Sequence, residues 1–235
     1  MPDLINTENI ISRKVLLNGI FLLIGCFTLI LIPWLRIFSI SITNADYVTI
    51  YFLVSRILCW CILGIIFIYV RKKEKQNILI WPETGYSVGT HVAFFFIMLL
   101  VIFTGLAVIH IILNLMHLAS QSSQMAMLKY IFKNYKLLVP VTTITAGITE
   151  ELIFRGYLMP RLELLYNNKY VTVIVSSLLF GMIHIGYGTV INVVATAFIG
   201  FIFALHYQKY RNIGFLIFFH FIWDTMAAYV LLRNG

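Results

Sequence analysis

Two apolar stretches of the chain are too long and too free of charge for the interior of a water-soluble domain. No Asp, Glu, Lys or Arg occurs between Glu83 and Lys129, or between Lys169 and Lys209. Each stretch exceeds the about 20 consecutive apolar residues that cross a bilayer as a helix. Because backbone polar groups in lipid must bond within the protein, membrane-spanning chains form helices or closed barrels, and runs of this length favour helices.

The composition agrees with a membrane-embedded chain. Hydrophobic residues make up 61% of the sequence and charged residues only 11%, with a mean hydropathy of +0.94. The predicted fold is an all-α, polytopic transmembrane helical bundle of about seven spans, and six or eight spans also fit the pattern. Residues 119–136 are predicted to form an interfacial helix or part of an eighth crossing. The seven predicted spans are Val15–Phe38, Tyr47–Val70, Val88–Leu118, Leu137–Tyr157, Val171–Ile185, Val190–Tyr207 and Phe215–Leu232.

The net charge of +8 could indicate a nucleic-acid-binding protein, but the basic residues lie at the ends of the predicted spans. That distribution is typical of a multi-pass protein of the cell membrane, with the lipid bilayer as partner and no nucleic acid. No internal repeat or linker divides the chain. The prediction is therefore one membrane domain, 1–235, with N-terminal spans in 1–118 and a helical core carrying the polar motifs in 137–232.

Charged side chains inside the apolar segments are the strongest functional signal. The chain has only nine acidic residues, and three of them, Glu150, Glu151 and Asp224, fall in hydrophobic segments. Inserting a charge at bilayer depth costs about 2.5–3.5 kcal/mol, and such residues usually have a function. Their segments, or neighbouring ones, also contain His184 and His220.

Helical spacing predicts how these side chains pair. Glu151 and Arg155 are four residues apart and can form an ion pair on one helix face, whereas Glu150 is turned by about 100° and can point elsewhere. The same spacing relates Phe180 to His184 and His220 to Asp224. Asn167 and Asn168 predict a turn between the fourth and fifth spans, and Pro160 predicts a kink shortly before it.

Other polar and sulfur-containing residues in the spans are interpreted as structural. Cys26, Cys59 and Cys61 lie in apolar segments, where a thiol behaves as a small hydrophobic group. Arg56 is interpreted as an arginine that extends its charge toward the membrane surface. The remaining histidines are interpreted as helix–helix hydrogen-bonding residues; they are His91, His110, His117 and His206.

The three motifs, taken in order, resemble one known family. Glu150-Glu151-x-x-x-Arg155, Phe180-x-x-x-His184 and His220-x-x-x-Asp224 follow one another on successive hydrophobic segments. This order resembles the CPBP family of CAAX proteases and bacteriocin-processing enzymes, also called the ABI family. The resemblance covers about Val139 to Tyr229, and the three N-terminal spans carry no signature of the family.

The resemblance implies an intramembrane endopeptidase that uses glutamate and histidine, without a metal or other cofactor. Glu150 is then the general base, and His184 helps it to polarise a water molecule. His220 and Asp224 would face the oxyanion.

The remaining motif residues would support these groups. Arg155 would hold Glu151, and Phe180 would pack under His184.

The third motif differs at one position from that of the prenyl-protein peptidases. Their pattern resembles His-x-x-x-Asn, whereas this chain has Asp224 at the last position. An ionised aspartate would repel an oxyanion, so Asp224 is either protonated or orients His220. A third alternative is a zinc-dependent metallopeptidase, because two histidines and several carboxylates could surround Zn²⁺. The His-Glu-x-x-His signature of many zinc peptidases is absent from the sequence.

Two other classes of function fit an intramembrane set of acids and histidines. A proton-coupled transporter would also place them at mid-membrane, but the expected symmetry between two halves is not found. A non-catalytic scaffold or bacteriocin-immunity protein on the same fold is the closer alternative. If the chain is a peptidase, its substrate is a peptide or a membrane protein, in peptide maturation, bacteriocin immunity or CAAX-type processing.

Overall fold

A computed structural model describes residues 11–39, 45–118 and 123–233 of the chain. Within these ranges all regular secondary structure is helical and there is no β-strand. The helices are α1 (Arg13–Ser39), α2 (Ala45–Tyr69), α3 (Val88–Leu115), α4 (Ser123–Asn134), α5 (Leu138–Glu151), α6 (Met159–Tyr166), α7 (Lys169–Ile183), α8 (Val190–Tyr210) and α9 (Ile213–Arg233). The all-α prediction is therefore confirmed.

Five helical segments of the described chain are long and apolar enough to cross a membrane. They correspond to the second, third, fifth, sixth and seventh predicted spans, which supports a membrane-embedded protein. The first and fourth predicted spans lie in α1 and in the helix that begins with α5, and neither is among the five. The five segments are Thr49–Glu74, Val88–Leu115, Lys169–Tyr187, Val190–Tyr210 and Ile213–Arg233.

The region between the third and fourth predicted spans contains the short helix α4. It has 12 residues, and at 1.5 Å per residue it is about 18 Å long. A bilayer core is about 30 Å thick, so α4 cannot form an eighth crossing by itself. Residues 119–122, which belong to the same predicted region, lie outside the described residues.

Helices α5 and α6 form one continuous helix joined by a π-helical turn, Leu152–Leu158. The sequence predicts a kink at Pro160, whereas the irregular turn lies just before that residue. Proline has no N–H to donate to the preceding turn, so carbonyl groups there need other donors. The Arg161 guanidinium is 3.5 Å from the carbonyl oxygen of Gly156 and 3.4 Å from that of Tyr157.

The turn between α6 and α7 follows its sequence signal. Asn167 adopts the left-handed conformation with φ of 49° and ends α6. The side chain of Asn168 then caps α7 by accepting hydrogen bonds from the backbone N–H groups of Tyr170 and Val171. Asparagine favours both positions, because it tolerates positive φ and its side-chain oxygen can replace a missing helical acceptor.

Small residues let the motif-bearing helices pack closely. Helix α7 packs against α8, and a Cβ added at Gly181 would lie 2.6 Å from the Cβ of Ala197. Helix α5 packs against α9, and a Cβ added at Gly147 would lie 3.0 Å from the carbonyl oxygen of Ile217. Such contacts are typical of helix association in membranes. They bring the three polar motifs into one region.

A buried ion pair ties the N-terminal helices to α6. Arg161 donates to Glu74 Oε2 from Nη2 at 2.8 Å and from Nε at 3.1 Å, and both side chains are fully buried. The hydroxyl of Tyr157 donates to the other oxygen of Glu74 at 3.2 Å. Arg161 also donates to the carbonyl of Asn77 at 2.9 Å. The pair therefore fixes the segment that directly follows α2 against the helix that carries the first motif.

Replacing Arg161 with Ala should strongly destabilise the protein, because it leaves the Glu74 carboxylate buried without its partner. Removing one member of a buried pair costs about 3–5 kcal/mol. The unfolding midpoint in detergent micelles should therefore fall well below that of the wild type. Lys73→Ala is the matched control, since Lys73 is exposed in the same turn as Glu74. Equal midpoints for the Arg161 variant and the wild type would contradict this role.

Candidate active site

A buried polar network joins α5 to α9. Glu151 Oε1 accepts a hydrogen bond from Arg155 Nη1 at 3.0 Å and lies 2.8 Å from His220 Nδ1. The Glu151 and Arg155 side chains are fully buried. The other ring nitrogen of His220 is 3.4 Å from Asp224 Oδ2. The ion pair predicted from the spacing of Glu151 and Arg155 is present, and Glu151 additionally binds the histidine of the third motif.

Arg155 also connects this network to α7 and α8. Its Nη2 donates to the carbonyl oxygen of Gly200 at 2.9 Å. Its guanidinium lies over the ring of Phe180, 4.5 Å from the centroid, and 5.4 Å from that of Phe203. A Cβ added at Gly200 would come within 2.8 Å of Phe180, so a glycine there lets the ring lie against α8. The arginine is held by a carboxylate, a carbonyl and two aromatic faces.

His184 lies at the C-terminal end of α7. Its Nδ1 is 2.7 Å from the carbonyl oxygen of Phe180. Because a carbonyl oxygen can only accept, Nδ1 carries the proton in this contact, and Nε2 of the neutral imidazole is an acceptor. The Phe180 and Tyr187 rings flank the imidazole, with centroids 4.9 and 5.5 Å away. The ring is thus oriented with one nitrogen fixed by the backbone.

Glu150 is turned away from its neighbour Glu151. Its Oε2 is buried and, within the described part of the chain, makes no hydrogen bond. A buried carboxylate oxygen without a donor is costly, so it indicates a position that a water or substrate group can fill.

Glu150 and His184 line the same cavity, in which the centres of water-sized molecules can occupy about 100 Å³. The N-terminal helices α1 and α2, the short helix α4, helix α5 and the end of α7 all contribute to its wall. Most of that wall is apolar, and Thr149 adds a hydroxyl next to Glu150. Representative apolar wall residues are Phe27, Phe52, Met127, Leu128, Ile131 and Ile183.

The seven predicted site residues therefore form two adjoining groups. Glu150 and His184 face the cavity, whereas Glu151, Arg155 and His220 form the buried network. Asp224 joins the network through His220, with its side chain 31% exposed. Phe180 lies between the groups, since its ring is close to His184, to Arg155 and, at 6.1 Å between centroids, to His220.

A metal site built from the usual ligands is not preformed in this region. Among the residues that the structure describes, no three His, Cys, Asp or Glu side chains converge on a position for a metal ion. His184 and Glu150 face the cavity, but His220 is already bound by carboxylates.

The sequence did not predict the contribution of the N-terminal helices. Two residues of α2, Phe52 and Cys59, line the cavity. From the sequence, Cys59 is interpreted only as a small hydrophobic residue. Tyr187, in the turn after His184, also lines the cavity. None of these residues carries a motif, and only the packing of α2 beside α5 brings two of them to the cavity.

Comparison with known proteins identifies the segment that contains the motifs. Residues 132–226 match the family described as Type II CAAX prenyl endopeptidase Rce1-like. The matched segment runs from the end of α4 into α9 and includes all seven predicted site residues. No curated protein and no solved structure matches the chain. The match confirms the resemblance of this segment to CAAX proteases and supports a peptidase of that type.

The two adjacent glutamates should differ in their effect on stability. Glu151→Gln removes the charge that balances Arg155, so we expect it to destabilise the protein by roughly 3–5 kcal/mol and to lower activity as well. Glu150→Gln is the matched control and should leave the unfolding midpoint close to that of the wild type, because no donor bonds its buried oxygen. Unfolding of both variants in the same detergent measures the difference, and the reverse order would contradict the network described above.

Proposed function

We propose that this protein is an intramembrane endopeptidase of the cell membrane in which Glu150 and His184 activate a water molecule. The observation that carries the proposal is that a carboxylate oxygen without a donor and an oriented imidazole share the wall of one largely apolar cavity. The match of residues 132–226 to CAAX prenyl endopeptidases supports the peptidase class.

One water molecule can donate one hydrogen bond to Glu150 and another to His184. Water has two O–H donors, and both Glu150 Oε2 and His184 Nε2 are acceptors. A water bound to both would direct a lone pair toward the scissile carbonyl carbon. Glu150 takes one proton as the new C–O bond forms, and gives it to the departing amine as the C–N bond breaks. General-base catalysis of this kind contributes about 10²- to 10⁴-fold in rate.

His220 is proposed to stabilise the negative charge of the tetrahedral intermediate. Its two ring nitrogens face the carboxylates of Glu151 and Asp224, and an imidazolium can donate to both. The positive charge would then be fixed in orientation before the oxyanion forms, which is how preorganised groups lower a barrier. The 3.4 Å contact with His220 favours an orienting role for Asp224 over a role as a protonated donor to the oxyanion.

The proposed substrate is a peptide or a segment of a membrane protein with apolar residues around the cleaved bond. The apolar wall of the cavity supports such a substrate, because charged side chains placed against that wall would lose hydration. Peptide maturation, bacteriocin immunity and CAAX-type processing are the proposed settings of such a cleavage. A non-catalytic immunity or scaffold protein on the same fold is the main rival, and it would need the cavity but not the base.

Glu150→Gln tests the proposed base, because it keeps the shape of the side chain and removes the proton acceptor. We expect the rate of cleavage to fall by two or more orders of magnitude. The assay uses the purified protein in liposomes with a library of apolar peptides, and mass spectrometry identifies the products.

Glu163→Gln is the control for this experiment, because Glu163 lies on the same continuous helix but does not line the cavity. It should cleave like the wild type. Equal cleavage by the Glu150 variant and the wild type would reject the base. If the wild type binds peptides in the assay without cleaving any, the scaffold alternative is supported.

A second test concerns metal. If Glu150 and His184 activate the water directly, dialysis against a strong chelator should leave the cleavage rate unchanged. Elemental analysis of the purified protein should then find far less than one metal ion per chain. Stoichiometric zinc, with activity lost on chelation and restored by adding zinc, would replace this mechanism with that of a metallopeptidase.

A further inference from the structure

Arg56 lies beside the cavity on α2. Its guanidinium carbon is 5.2 Å from the centroid of the Phe52 ring, and its Nε donates to the hydroxyl of Ser55 at 3.3 Å. Phe52 and Cys59, one turn before and one turn after Arg56, are both wall residues of the cavity. Positions 52, 56 and 59 share one face of a helix, so the arginine belongs to the face that α2 presents to the cavity.

The charge of Arg56 is unpaired among the residues that the structure describes. Within the described residues no carboxylate is within ion-pair distance of its guanidinium, whereas Arg155 and Arg161 each pair with a buried glutamate. A cation in an apolar segment is costly unless it is paired or reaches a polar group. The arginine therefore has an unused capacity for an anion.

This free charge and the proposed catalytic base act on the same part of the cavity. Cys59 lies within electrostatic range of both Arg56 and Glu150, and the hydroxyl of Tyr187 does as well. A ligand that occupies the cavity next to Glu150 can therefore present an anionic group to Arg56. A positive group on one side and a negative group on the other also give a bound peptide a preferred direction.

We propose that Arg56 binds the C-terminal carboxylate of the peptide substrate and so selects substrates by their free terminus. The proposal rests on the proposed peptidase function. A guanidinium binds a carboxylate through two parallel hydrogen bonds, which fixes the geometry as well as the charge. The face of Phe52 supports the guanidinium from one side. A terminal carboxylate supplies an anion without adding a charged side chain to the apolar cavity.

The alternative use of Arg56 is the one that the sequence suggests, an arginine that reaches a lipid phosphate at the membrane surface. The two uses differ in what they depend on. Binding to a substrate carboxylate changes with the chemistry of the peptide end, whereas binding to a phosphate changes with the charge of the lipid.

The test compares peptides that the wild type cleaves, each made as a free acid and as a C-terminal amide. For the wild type, the amide should lower kcat/KM by about 10- to 100-fold, which is the range for a hydrogen bond to a charged group. Most of this loss should appear in KM, because the contact binds substrate and does not take part in bond breaking. Arg56→Gln should remove the difference between acid and amide, and Arg56→Lys should restore part of it.

Arg71→Gln is the matched control. Arg71 follows α2 in the same continuous segment, and its guanidinium lies 5.4 Å from the ring of Phe67, four residues earlier, as Arg56 does over Phe52. It is exposed and is not a wall residue of the cavity. The Arg71 variant should therefore keep the full preference for the free acid.

A binding measurement keeps this test separate from catalysis. In the Glu150→Gln background, a fluorescently labelled apolar peptide should bind more tightly as the acid than as the amide, and Arg56→Gln should abolish the difference. Equal binding of acid and amide in that background overturns the role of Arg56, even if the wild type cleaves peptides as proposed. Conversely, an acid preference that depends on Arg56 supports the role even if no cleavage is detected.

Two further outcomes would reassign the arginine. If an amidated peptide with Asp as its last residue has the same kcat/KM as the free acid, Arg56 binds any acidic group and does not recognise the terminus. If Arg56→Gln weakens acid and amide equally, and the loss appears only in phosphatidylglycerol vesicles and not in phosphatidylcholine vesicles, Arg56 binds lipid. Either result overturns the proposal and leaves the role of Glu150 intact.

Discussion

The site depends on one buried oxygen atom, Oε1 of Glu151, which binds both Arg155 and His220. A carboxylate, a guanidinium and an imidazole cannot be buried separately in an apolar bundle without a large loss of hydration energy. Placed together, they compensate one another and cross-link α5, α8 and α9. The contacts of Glu151 with Arg155 and His220 therefore fix the position of His220 and also offset the cost of burying these charges.

The cavity depends on a different part of the chain. Helices α1, α2 and α4 supply much of its apolar wall, while the matched segment 132–226 supplies Glu150 and His184. The ion pair of Glu74 and Arg161 fixes α2 to the helix that carries Glu150, so the two parts of the cavity keep a constant relation. The N-terminal helices can thus determine which peptide fits without taking part in the proposed chemistry. Arg56 lies on α2 between the wall residues Phe52 and Cys59.

Local features of the site could be predicted from the sequence, because they depend on helical geometry alone. The spacing of Glu151 and Arg155 predicts their ion pair, and two successive asparagines predict the turn between α6 and α7. The contact between Glu151 and His220 joins residues far apart in the chain. It depends on which helices pack together, which one sequence does not specify. The sequence predicts a kink at Pro160, whereas the π-helical turn is Leu152–Leu158. Proline indicates an irregular helix but does not specify the residues at which the irregularity lies.

The two neighbouring glutamates illustrate how one helix can provide both rigidity and reactivity. A rotation of about 100° per residue directs Glu151 toward Arg155 and His220 and leaves Glu150 at the cavity wall. Glu151 Oε1 contacts both Arg155 and His220, whereas Glu150 Oε2 has no donor among the described residues and can attract a water proton. If neither were bonded, the helix would carry two uncompensated buried charges. The buried pair of Glu151 and Arg155 stabilises the helix that also carries Glu150, whose Oε2 has no donor within the described part of the chain. Two adjacent glutamates are costly to bury, but their adjacency also positions Glu150 as the proposed base.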